Sequence, residues 1–135
     1  EIGTIRARRH PIVFLTSNNT RELSDALKRR CLHLFIPFPD ATLERSIIQS
    51  RVPGINDKLR QQLVGFVQEV RKLDLKKQPA ISETIDWART LLLLHSESLS
   101  PELVETTLNV LLKHEEDINN VKDDMRSLFN KLFKS

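Results

Sequence analysis

The sequence is poor in glycine, cysteine and aromatic residues, and each scarcity excludes a class of site. Its three glycines are Gly3, Gly54 and Gly65, so it contains no glycine-rich loop whose backbone N–H groups could approach nucleotide phosphates. The single cysteine, Cys31, cannot form an internal disulfide. We therefore expect no complete nucleotide site in this chain alone, and we interpret Cys31 as a small buried residue.

Metal ligands and membrane-spanning segments are also missing. The four histidines lie far apart without the paired spacing of a metal site, and no apolar run is long enough to cross a bilayer. No signal-peptide pattern occurs, which favours a cytoplasmic location. The histidines are His10, His33, His95 and His114.

What the chain does contain is enough apolar sequence for a core and a localised basic excess. Of its 135 residues 39% are hydrophobic, which suffices for one domain or two small ones. Residues 1–40 hold seven Lys/Arg against four Asp/Glu, and the remainder holds fourteen of each. The basic part could therefore face phosphate, whereas the balanced part is typical of solvated helix surface.

The first forty residues predict an α/β layer. Residues 12–16 and 32–36 are short runs of β-branched, aromatic and aliphatic side chains bounded by proline or by Ser-Asn-Asn, which is typical of buried strands. Between them, residues 21–30 carry apolar positions at helical spacing after the possible cap pair Asn19 and Glu22. The sequence thus predicts a strand, a short helix and a second strand.

Beyond Pro39 the pattern changes to helices with recognisable start signals. Asp40, Asn56, Ser82 and Ser100 are the predicted caps, the last followed by proline at the first helical position. A final amphipathic segment follows, either docking on the bundle or binding another subunit. We therefore predict a mainly α chain, with an α/β fragment at 1–39, an all-α four-helix unit at 40–114 and a helical extension at 115–135.

Polar residues occur where this layer could carry chemistry. Asn18 follows the first predicted strand, where an amide could bond a terminal phosphate oxygen and an attacking water. Residues 23–27 read Leu-Ser-Asp-Ala-Leu, and Arg29 and Arg30 precede the second predicted strand. In isolation, Asn18 would more simply start a turn, and the arginines would be solvated or pair with a helix end.

Together, these motifs resemble the second half of an AAA+ ATPase core of the MoxR type. The resemblance implies that Asn18 is sensor 1 and that Arg30 is an arginine finger, with Arg29 as the alternative. It also implies that residues 40–114 are the helical lid. The sequence starts at Glu1 without an initiating methionine, so we expect a truncated chain. The full-length protein would bind ATP and Mg²⁺ and hydrolyse ATP, and this fragment alone would be inactive and bind neither.

The position of sensor 2 departs from the family pattern. MoxR proteins carry Ser-Pro-Arg at the start of the third lid helix, whereas residues 80–84 here read Ala-Ile-Ser-Glu-Thr. Glu83 takes the place of the arginine, and Arg89, further along the same helix, is a candidate substitute. Residues around Asp86-Trp87-Ala88 resemble a MoxR branch that matures metalloenzymes with von Willebrand factor A partners. For Trp87 we favour ordinary packing over nucleotide stacking.

The resemblance implies an ATP-driven chaperone or remodelling subunit in a homo-oligomeric ring, a hexamer, acting on a client enzyme. Two alternatives stay open: a basic helical module that binds nucleic acid through arginines such as Arg6, Arg8 and Arg9, and a non-catalytic interaction domain that uses residues 121–133. No aromatic side chains interleave the arginines, which weighs against a nucleic-acid partner. We also expect self-association through residues 12–16 or 32–36, because unpaired strand edges would be exposed.

Overall fold

The computed structural model describes residues 3–17 and 23–133, and all regular structure within these ranges is helical. The chain divides into two compact units, Glu1–Ile36 and Pro37–Ser135. Among the described residues, one helix lies in the first unit and six lie in the second. The helices are α1 (Asp25–Arg30), α2 (Ala41–Arg51), α3 (Asp57–Val70), α4 (Ile81–Leu93), α5 (Pro101–Leu111), α6 (Glu115–Asp123) and α7 (Met125–Phe133).

The two predicted strands are absent from the described residues, so the prediction of an α/β fragment was wrong. Residues 11–17 and 32–40 have no regular structure, and their apolar side chains are exposed, with Ile12 at 85% and Leu32 at 104% of the reference area. An apolar run predicts burial, but a strand also requires a neighbouring strand to receive its backbone hydrogen bonds. Neither segment finds such a neighbour in the described chain.

Three helices of the second unit, α2, α3 and α5, begin at side-chain caps that the sequence predicted. Asp40, Asn56 and Ser100 each accept the N–H three residues ahead, at 2.8, 2.8 and 3.2 Å respectively. The cap predicted at Ser82 was misplaced, because α4 has Ala80 at its N-cap position and no side-chain cap there. Short polar side chains at a helix start satisfy otherwise unpaired N–H groups, which explains why this signal was informative.

The core of the second unit lies where α3 meets α2, α4 and α7, with α5 and α6 closing the remaining sides. The ring centroids of Phe66 on α3 and Phe129 on α7 are 5.9 Å apart, so the C-terminal helices belong to this bundle. In α2 the apolar Leu43 is half exposed, whereas the charged Glu44 beside it is buried. The described residues contain no helix long and apolar enough to cross a membrane.

Candidate functional site

Arg29 and Arg30 occupy the last turn of α1 in the first unit. The N-cap of this helix is Ser24, whose Oγ accepts the Leu27 N–H at 3.3 Å. The carboxylate of Asp25 lies in the first turn, where its negative charge interacts favourably with the positive end of the helix dipole. Both arginine side chains are exposed, and neither forms an ion pair with any residue of the described ranges. Two guanidinium groups at one helix end are thus available to an external anion.

Asn18, the predicted sensor 1 residue, lies outside the described residues, as do Asn19 and Glu22. Cys31, directly after α1, is exposed rather than buried. The prediction for Cys31 depended on a strand starting there, and without that strand no sheet covers the thiol.

Glu83 lies in the first turn of α4, where a carboxylate complements the helix dipole. The Ser82 hydroxyl donates to Glu83 Oε2 at 2.8 Å, and Lys77 Nζ is 3.8 Å from Oε1. Partial burial raises the pKa of the Glu83 carboxyl, but the Ser82 hydroxyl, the backbone N–H groups of Glu83 and Ala80 and the Lys77 ammonium outweigh it, so the pKa lies below its ordinary value. Glu83 is therefore a charged residue that stabilises the helix start.

Arg89 is exposed and pairs with Asp86 one turn earlier on α4, at 3.4 Å between Nη1 and Oδ1. Glu83 and Arg89 share this helix, but each is paired with its own neighbour, and the structure does not join them in one cluster. Arg29 and Arg30 belong to the other unit. Within the second unit, Glu83 and Arg89 therefore do not form one site.

Trp87 is fully buried, as predicted for a packing residue. Its Nε1 donates to Thr107 Oγ1 at 2.8 Å, and its ring lies 5.6 Å from that of Phe66. The indole is therefore closed to a nucleotide base in this bundle.

The most elaborate polar cluster was not predicted, and it centres on Arg71 at the end of α3. Arg71 Nη1 and Nη2 donate to the two carboxylate oxygens of Glu44 at 2.7 and 2.8 Å, and both side chains are buried. This bidentate geometry is the strongest that a guanidinium makes with a carboxylate. The sequence gives only a weak indication of this ion pair, namely a glutamate at a core-facing helical position 27 residues before an arginine.

Further contacts complete the cluster around Arg71. Arg71 Nε donates to the Pro79 carbonyl at 2.8 Å, and Nη2 lies 3.3 Å from Thr84 Oγ1. The guanidinium carbon stands 4.8 Å from the centroid of the Phe38 ring, a cation–π distance. Every nitrogen of this side chain has a partner, so the cluster has no free group for a ligand.

A second carboxylate, Asp117 near the start of α6, holds the loop between α3 and α4. It is buried and accepts the backbone N–H groups of Lys76 at 2.8 Å and Lys77 at 3.2 Å. The hydrogen bond and charge of Glu116 raise the pKa of the Lys76 ammonium above its ordinary value. These contacts fix the loop that leads to Glu83.

No group of three His, Cys, Asp or Glu side chains suited to a metal ion occurs within the described ranges.

No protein-family model matches this sequence, and comparisons with curated proteins and with solved structures find no match. Any proposal for the function of this chain therefore rests on its own residues.

Proposed function

We propose that this chain is the C-terminal part of a cytoplasmic MoxR-type AAA+ ATPase subunit, an ATP-driven chaperone or remodelling protein. Residues 40–114, which fold as helices α2 to α5, serve as its lid. The observation that carries the proposal is the pair Arg29 and Arg30, exposed and without ion pairs among the described residues at the end of a short helix. An arginine of this kind can be inserted into the site of a neighbouring subunit.

The chemistry required of such an arginine is charge stabilisation. A guanidinium presents a planar fork of donors that matches a phosphoryl group, and it stays charged at all physiological pH values. Placed against the transferring phosphoryl group, it can accelerate hydrolysis by about a thousandfold or more. Arg30 is the proposed finger and Arg29 the alternative.

The residues of this chain do not fit a complete ATP and Mg²⁺ site. There is no glycine-rich loop in the sequence, and no cluster of acidic ligands in the described ranges. ATP and Mg²⁺ would bind to the rest of the full-length protein. Because the finger acts on a neighbour, the proposal includes a homo-oligomeric ring, a hexamer. A von Willebrand factor A protein and a client enzyme are its proposed partners.

Two residues of α4, Glu83 and Arg89, bear on nucleotide sensing. Glu83, at the sensor 2 position, is a paired carboxylate with a lowered pKa and would repel phosphate. Arg89 could replace the missing arginine only by leaving Asp86. An Arg89→Ala variant of the full-length protein should therefore bind nucleotide more weakly, and unchanged affinity and turnover would remove Arg89 from the site.

The test of the proposal is ATP hydrolysis by the full-length protein with variant subunits mixed into wild type. Arg30→Ala subunits should depress activity more steeply than their fraction, because each one disables a neighbour's site while its own nucleotide binding persists. Arg29→Ala distinguishes the two arginines, and Lys28→Ala, a cation in the same turn, is the matched control. Activity that tracks the wild-type fraction alone would contradict a finger in trans.

One observation also supports the nucleic-acid alternative. Arg6, Arg8 and Arg9 are exposed in the first unit together with Arg29 and Arg30. A nucleic-acid module would bind single- or double-stranded polymer with an affinity that falls steeply with salt. A mobility-shift assay at two salt concentrations separates this alternative from the ATPase proposal. The apolar face of residues 121–133, invoked for an interaction domain, is largely buried in the bundle.

A further inference from the structure

Arg71 contacts two parts of the second unit that are remote from each other in sequence. Phe38 lies in the segment that enters the unit, residues 37–40, and Glu44 lies in the first turn of α2. Pro79 and Thr84 flank the start of α4. One planar guanidinium group therefore touches both the entering segment and the first turn of α4.

A second side chain reinforces the connection to the entering segment. Gln68 Nε2 donates to the Pro39 carbonyl at 3.1 Å and to Glu44 Oε2 at 2.6 Å. Glu44 Oε2 is thus shared between Gln68 and Arg71. The carboxylate joins the contact at Pro39 to the contacts that Arg71 makes at α4.

Burial makes these contacts interdependent. A buried charged or polar group that loses its partner bears the full cost of desolvation, so Arg71 cannot give up one partner and keep the others in place. If Thr84 or Pro79 moves, the guanidinium follows, and Glu44, Gln68 and the Phe38 ring must readjust.

We propose that Arg71 couples the first turn of α4 to residues 37–40, so that a displacement at either end shifts the other. The coupling is a property of this bundle and does not require ATP hydrolysis. Under the function proposed above, it would connect the sensor 2 position to the segment that follows the arginine pair, and this extension alone rests on that function.

The coupling is tested by NMR on the whole ¹⁵N-labelled chain. The probes are the amides of Phe38 and Asp40, since Pro37 and Pro39 have none, and the Nε–H of Arg71. Thr84→Val removes one hydroxyl with little change in shape, and it should shift all three probes. Thr107→Val is the matched control, because Thr107 is a buried threonine of the same bundle that bonds Trp87 instead; it should leave the Phe38 and Asp40 amides in place.

The reverse experiment starts from the entering segment and does not threaten folding, because Phe38 is half exposed. Phe38→Leu should shift the amides of Glu83 and Thr84, whereas Phe35→Leu, an exposed ring on the other side of Pro37, should not. If Phe38→Leu leaves the α4 amides unmoved, or if Phe35→Leu moves them equally, the coupling through Arg71 is wrong. Failure here would leave the ATPase mixing experiment unaffected, so the two proposals fail separately.

Discussion

At the scale of single residues, the hydrogen bond between Trp87 and Thr107 is the clearest case of a buried polar pair in this core. Thr107→Val should cost about 1–3 kcal/mol of unfolding free energy, because the indole N–H would stay buried without an acceptor. Trp87 is the chain's one tryptophan, so urea unfolding can be followed by its fluorescence. Thr106→Val, at the adjacent exposed position, should change stability by less than about 0.5 kcal/mol. Equal effects of Thr107→Val and Thr106→Val on stability would contradict a stabilising role for the hydrogen bond between Trp87 and Thr107.

Glu83 should make stability depend on acidic pH. Its pKa is lower in the folded chain than in the unfolded chain, so its contribution is fully present above the unfolded pKa and is lost as pH falls through the folded pKa. Glu83→Gln should therefore destabilise the chain at neutral pH, by up to about 1 kcal/mol for a partly exposed pair, and this difference should vanish in acid.

The control for Glu83 is Glu105→Gln, which removes an exposed carboxylate without an ion pair in the described ranges. Urea midpoints of both variants and of wild type are measured at neutral pH and below the folded pKa. A difference between Glu83→Gln and wild type that persists unchanged in acid would show that the lost charge is not its cause.

Residue-level prediction succeeded for the tryptophan and failed where pairing decides. Trp87 was expected to pack in the core rather than to stack on a nucleotide base, and it is buried. Glu44 and Arg71 could not be found, because a charged residue is buried only when a partner reaches it, and that partner is 27 positions away. Asn18, the predicted sensor, falls outside the described residues and stays a prediction.

At the scale of elements, α3 and α7 approach each other closely at Gly65. A Cβ placed there would lie 2.7 Å from Leu132 Cδ2, so Gly65→Ala forces Leu132 or α7 to shift. Alanine is favoured over glycine in a helix interior by about 0.8–1 kcal/mol. We expect this gain to be reduced or reversed in wild type and to be recovered in a Leu132→Ala background.

The double-mutant cycle over Gly65 and Leu132 isolates their interaction, measured as unfolding free energies of the four proteins. Additive effects within about 0.5 kcal/mol would mean that the two positions do not compete for space.

Elements were predictable to the extent that their stabilising contacts are local. The caps Asp40, Asn56 and Ser100 act within one turn, and the helices that they start were found. The prediction of strands at 12–16 and 32–36 was wrong, because the apolar character of a run does not show whether a second strand lies beside it. Ala80 shows the remaining limit, since α4 starts without the polar cap expected at Ser82.

At the scale of the whole molecule, the exposed apolar side chains of residues 12–15 and 32–36 predict self-association. The sheet edges that first suggested it are absent from residues 3–17 and 23–133, but the exposed area itself favours contact with a second copy. A Phe14→Ser, Phe35→Ser double variant should scatter less light than wild type at high concentration. Leu93→Ser, at an exposed leucine of α4 in the other unit, is the control. A wild-type chain that stays monomeric throughout would contradict the prediction.

The packing of Phe129 against Phe66 has a consequence for synthesis on the ribosome. The ribosome synthesises α3 roughly sixty residues before it synthesises α7, the helix that packs on this face of α3. At about 5–20 residues per second, the interval between the two helices is several seconds. During that time α3 presents an uncovered apolar face to the cell. A nascent chain stalled before Met125 should therefore bind a chaperone that a chain released after Phe133 no longer binds.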